Sequence, residues 1–92
     1  MNMLGAAHET MALAREVLTK TPDEKLPVSF SLNHLEDMLH VMNTPGMSKA
    51  KMGRWLGWMQ AAVVAGASMN GHRGYVSLDT MKEINKRHKK GA

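Results

Sequence analysis

Residues Ser48 to Met69, SKAKMGRWLGWMQAAVVAGASM, decide how the rest of the chain is read. The run contains no proline, and between Trp55 and Ala67 its only polar side chain is Gln60. Met52, Trp55, Leu56, Met59, Ala62, Val63, Gly66 and Met69 recur at the 3.6-residue period of a helix and form one continuous stripe. A helix that is apolar nearly all round is buried by neighbours on several sides, so this stretch is expected to be a central helix over residues 48–69. A second row, Gly53, Gly57, Ala61 and Ala65, carries no bulky side chain and permits close backbone approach. Such rows occur in membrane helices, but the fifteen apolar-rich residues from Trp55 to Met69 fall short of the roughly 20 needed to span a bilayer. A close-packed helix of the same chain is the favoured neighbour, and the same helix of a second copy is the alternative.

Outward from this segment, three further helices follow from periodicity and punctuation. Leu4, Ala7, Met11, Ala14 and Leu18 predict an amphipathic helix over residues 3–19, which ends at Thr21-Pro22-Asp23. Ser31 is placed to cap a helix over 32–42 that buries Leu32, Leu35, Leu39 and Met42, and Asn43-Thr44-Pro45-Gly46 stops it. The same start chemistry recurs at Ser48 and at Ser77, with Met47/Met52 and Val76/Met81 at the positions of a hydrophobic staple. The last helix, 78–88, offers only Leu78, Met81, Ile84 and His88 to a core and is expected to be peripheral. The expected architecture is all-α: one domain over residues 1–92, a compact four-helix bundle around the 48–69 helix.

Ninety-two residues, 43% of them hydrophobic, suffice for one modest core. The absence of cysteine excludes disulfides and thiolate chemistry. The start, MNMLGAAHET, lacks the basic and apolar regions of a secretory signal, so a cytoplasmic location is expected. The net charge of +4 is unevenly spread. Residues 1–46 hold three bases against six acids, whereas residues 47–92 hold nine bases against two acids. Whatever part of this asymmetry is not neutralised internally leaves a basic surface suited to an acidic partner, protein or nucleic acid.

No catalytic constellation is visible. There is no thiol nucleophile, and Ser31, Ser48 and Ser77 are accounted for as caps. His34-x-x-Asp37-x-x-His40, with Glu36 beside it, spreads too widely around a helix for one tight metal site, so neither a metal nor another cofactor is expected. Gly71-His72-Arg73-Gly74 has the spacing of a nucleic-acid clamp without the sheet such a module needs. As a basic turn ahead of Ser77 it remains a weak anion-binding candidate through Arg73 and His72.

Lys49, Lys51 and Arg54 crowd positive charge into the start of the long helix, the end where the helix dipole disfavours it. Pairing with Glu36 or Asp37 is the structural explanation, and an acidic partner is the functional one. Trp58 is turned away from the Trp55 stripe toward Arg54 and Ala61, and Trp with Arg is a common interface anchor. Ten methionines suit either an adaptable core or a contact patch. Lys86, Arg87, Lys89 and Lys90 form a separate basic run at the end of the chain, the candidate contact for nucleic acid.

The segment Lys51-Met52-Gly53-Arg54-Trp55-Leu56-Gly57-Trp58-Met59-Gln60-Ala61 resembles small proteins of temperate and Mu-like bacteriophages that carry an Arg-Trp-Leu-Gly-x-x-Gln-Gly/Ala signature. The similarity spans roughly residues 26–89, and Ala61 stands where many of those proteins have glycine. Most of that group have no assigned activity. The resemblance implies a non-enzymatic accessory role in which a surface binds and inhibits or redirects a host protein, a component of an antiphage defence system included. The resemblance carries over no functional residues; the crowded charge and the direction of the tryptophan make Trp58, Arg54, Lys49 and Lys51 the expected contact surface. Two other functions fit the same residues: nucleic-acid binding or nucleotide-signal sequestration by the basic second half, and oligomeric assembly through the Gly53/Gly57/Ala61 row. No membrane partner is implied, and a homodimer is compatible with each.

Overall fold

A computed structural model describes residues 2–18, 31–69 and 76–89, and these form four α-helices. They are α1 (Met3–Leu18), α2 (Leu32–Met42), α3 (Lys49–Met69) and α4 (Leu78–Arg87). Among the described residues there is no strand. The all-α bundle read from the periodicity is the fold observed.

Each start has a local cause. Ser31 Oγ accepts from the His34 N–H at 3.3 Å, and Ser48 Oγ accepts from the Lys51 N–H at 3.1 Å, so each side chain satisfies a backbone donor that the helix itself cannot. At α4 Ser77 and Thr80 form a capping box. The Ser77 N–H donates to Thr80 Oγ1 at 3.1 Å, tying the cap residue to the first turn from the other side. The start of α1 uses a cap that the periodicity did not expose: Asn2 Oδ1 accepts from the Gly5 N–H at 2.9 Å. Between α2 and α3, Asn43 Nδ2 donates to the Leu39 carbonyl at 2.9 Å, and Gly46 turns the chain at a φ of +105°, a conformation that favours glycine.

Long-range side-chain bonds fix the helix directions. Arg15 reaches Glu36 and His8 reaches Asn43, so α1 and α2 are antiparallel. Thr10 meets Gln60, while a Cβ built on Gly53 would lie 3.5 Å from Met3 Sδ, so α1 and α3 run in the same direction. Glu9 meets Arg87 while Glu16 and Thr80 line one shallow depression, and Gln60 meets Asn85 while Ser68 lies by Ser77, so α4 is antiparallel to both.

The expected centre of the bundle is corrected. α1, not α3, is the hub: it packs broadly on α2, α3 and α4, whereas α3 leans mainly on α1 and meets α2 and α4 narrowly. The reason lies in side-chain size. Ala6, Ala7, Thr10, Met11 and Ala14 have no solvent exposure, and four of the five are small, so three helices can close around a slender rod. The rest of the core is Val17, Leu18, Leu35, Met38, Leu39, Met42, Leu56, Met59, Ala62, Val63, Ala67, Val76, Met81 and Ile84. Leu78, expected to point inward, is 66% exposed. It stands first in α4, one turn before the buried pair Met81 and Ile84.

One polar network crosses this core. Gln60 Nε2 donates to Asn85 Oδ1 at 2.8 Å and lies 3.3 Å from Thr10 Oγ1, and Asn85 Nδ2 returns a bond to Gln60 Oε1 at 3.2 Å. The Thr10 hydroxyl in turn donates to the Ala6 carbonyl at 2.8 Å. The only polar residue in the apolar run of α3 therefore locks α3 to both α1 and α4 with its hydrogen-bonding capacity used.

Candidate functional site

The start of α3 carries Lys49, Lys51 and Arg54, all exposed. The expected pairing with the acids of α2 is not made. Glu36 is held by Arg15, which grips it with two bonds, Nη2 to Oε1 at 2.7 Å and Nε to Oε2 at 3.2 Å. Among the described residues no carboxylate forms an ion pair with Lys49, Lys51 or Arg54. Lys51 instead sets its ammonium 5.1 Å from the centroid of the Trp55 ring, an attraction between a cation and the negative face of the π-system. Trp55 is half-buried against the core, as its place in the apolar stripe requires, and Trp58 is 44% exposed.

The second basic run lies at the same end of the bundle. The Asn2 N–H donates to the His88 carbonyl at 2.9 Å, while Met3 packs by Gly53, so the N-terminal end of α1 touches both the beginning of α3 and the end of α4. Lys86 and Lys89 are exposed there. Arg87 is not part of the free surface: its guanidinium binds Glu9, with Nε 3.3 Å from Oε1 and a second contact from Nη2 to Oε2. His88 Nε2 also reaches Glu9 Oε1, at 2.9 Å. The Arg87 hydrogen bond, reinforced by His88 and opposed by partial burial, holds the Glu9 carboxyl below the usual carboxylate range. Lys49, Lys51, Arg54, Lys86 and Lys89 thus form an electropositive end, where Glu9 is already engaged by Arg87 and His88 and Glu83 stands one turn before Lys86 on α4. Periodicity treats the two basic runs as rival sites; only the helix directions bring them to one end.

The other candidates separate. Glu36 is tied to Arg15, His34 is half-buried and Asp37 and His40 are exposed, and among the described residues no three His, Asp or Glu side chains converge on one point. His72, Arg73 and the rest of the Gly71–Gly74 turn lie outside the described residues, as does Lys90. The small-residue row divides as well. Gly53 accommodates Met3, but Gly57 and Ala61 are exposed, and a Cβ on Gly57 would meet nothing within 4 Å. Among the described residues no helix of the same chain covers the centre of this row.

A surface depression of about 460 Å³ between α3 and the start of α4 is lined by Val64, Ser68, Val76, Ser77, Leu78, Asp79 and Lys82. Its charged groups, Asp79 and Lys82, face each other at 3.9 Å in solvent, where such a pair contributes little. Among the described residues no helix is long and apolar enough to cross a membrane. The arrangement defines a four-helix domain with a basic end and a partly exposed apolar helix face. Comparison of the chain with protein-family models, curated proteins and solved structures finds no match.

Proposed function

We propose that the protein is a non-enzymatic binder whose basic end docks on an acidic surface of a protein partner. One observation carries this reading: Lys49, Lys51 and Arg54 stand at the positive end of the α3 dipole with no carboxylate paired to them among the described residues. Such an arrangement opposes helix stability and is relieved by an acidic surface brought from outside. Lys86 and Lys89 extend the patch, and charge complementarity of this kind speeds encounter and sets orientation. The resemblance of the Arg54–Ala61 segment to bacteriophage accessory proteins makes the proposed partner a host protein, with a defence component as a specific candidate.

The test is affinity capture with the tagged full chain from bacterial lysate, before and after nuclease treatment, repeated with the K49E/K51E double variant. The expected result is one stoichiometric protein that survives nuclease and is released by the charge reversal. A protein retained equally by both forms would contradict the reading. Convergence of Lys86 and Lys89 on the same end favours nucleic acid as a second reading. In that case binding falls steeply with salt, and the five described cations alone correspond to a logarithmic slope of roughly −4.5 on duplex DNA.

A further inference from the structure

α3 has the composition of a helix with neighbours all round, but one side of it faces solvent. Gly57, Trp58 and Ala61 are exposed, Val64 and Ala65 are half-buried, and Met69 is 57% exposed. We propose that a second copy of the chain covers this face, with the two α3 helices packed antiparallel about a two-fold axis at Ala61.

Three observations select the occupant and its direction. From Trp55 to Met69 the sequence holds no charged residue, so the face offers a charged partner nothing to pair with and matches an equally uncharged helix. Gly57 and Ala65 lie four residues to either side of Ala61, so a two-fold rotation sets Ala61 on its own copy and Gly57 on Ala65 of the other, small against small. The open space over Gly57 is the gap that this packing fills.

The third observation is electrostatic. α3 begins with Lys49, Lys51 and Arg54 but has no basic residue in its last turn. Antiparallel packing brings Arg54 of each copy beside Ser68 of the other, at the helix end whose carbonyl dipoles are negative. Parallel packing would instead set three cations of each copy against the same three of its neighbour. Trp58 then covers Val64 of the other copy at the edge of the seam, and the two basic ends point outward at opposite ends of the dimer. Lys49 and Lys51 stay outside the seam, so partner capture and self-association fail independently.

Sedimentation equilibrium of the full chain is expected to give twice the 10.2 kDa chain mass. Ala61→Arg and Ala61→Glu are each expected to give the monomer mass with unchanged helical circular dichroism, because Ala61 is exposed in the single chain. Mixing the two is expected to restore the dimer, since the axis sets position 61 against itself. A parent chain that stays monomeric at the concentration of an NMR sample overturns the proposal. So does an Ala61→Arg variant that remains dimeric, or a mixture of the two variants that remains monomeric.

Discussion

α1 and α3 contrast in opposite senses. α1 reads as an ordinary amphipathic surface helix, and it is the hub of the bundle; α3 reads as the buried centre, and one of its sides is partly exposed. The difference separates two properties that a hydrophobic pattern merges. How much of a helix its own chain buries depends on how closely neighbours can approach, and small side chains such as Ala6, Ala7 and Ala14 decide that. How apolar a helix is reflects everything that covers it, including surfaces from outside the chain. The gap between the two, largest along Gly57 and Ala61, marks where assembly is to be sought.

The largest expected effect is at the hub. Met11 is fully buried, and Met11→Ala removes packing from the point where α1 meets its neighbours. A loss of about 3 kcal/mol is expected in urea unfolding, against less than roughly 0.5 kcal/mol for Ala61→Arg on the exposed side of α3, measured beside a parent chain dilute enough to be monomeric. Equal losses would erase the distinction between the two helices.

Next in size is the polar lock between them. Gln60→Leu leaves the Asn85 amide without its reciprocal partner in a part-buried setting, and a loss of about 1–3 kcal/mol is expected. Adding Asn85→Leu should recover part of that loss, because replacing both partners removes the unsatisfied group. No recovery in a double-mutant cycle would mean that Gln60 acts through shape alone.

The latch between α1 and the end of α4 is smaller and depends on pH. The Glu9 carboxyl is held below its ordinary value by Arg87, with His88 adding to the effect. Its contribution is therefore complete above the unfolded value and is lost as pH falls through the lowered folded value. Glu9→Gln should flatten the stability-against-pH curve on the acid side. Because the group is partly exposed, the change is modest; an unaltered acid limb would remove the latch from the account.

The smallest effect has the sharpest sign. In the monomeric background Gly57→Ala should raise stability by up to about 1 kcal/mol, since the site is mid-helix and open. In the parent chain the same change narrows the proposed seam and should weaken the dimer. A variant that stabilises the monomer and leaves association untouched would place the seam elsewhere.

Much of this fold is legible in the residues. Ser31 and Ser48 bond as caps, Gly46 takes the turn, and the helix ends fall within a residue of the positions their punctuation implies. What stays hidden is whatever topology decides. Arg15 and Glu36 are 21 residues apart in sequence, and nothing local reveals that this pair forms instead of one between Glu36 and Lys49 or Lys51. The Asn2 cap hides because a helix start near a chain end carries little pattern before it. Joining Lys49, Lys51 and Arg54 to Lys86 and Lys89 requires knowing that α1 and α3 are parallel while α4 is not. The hub escapes for a simpler reason: alanine and threonine score weakly as apolar residues, yet they permit the closest packing.

Because the chain contains no cysteine, the partly exposed face of α3 can be probed with a single thiol. Ala61→Cys and Ala12→Cys each place one exposed thiol, the first on the proposed axis and the second on the solvent side of α1. Under mild oxidation the account predicts that the Ala61→Cys chain links to itself far faster than the Ala12→Cys chain, because a two-fold axis at position 61 brings the two Cβ atoms within reach of a disulfide. Equal rates of linkage at the two positions would contradict it.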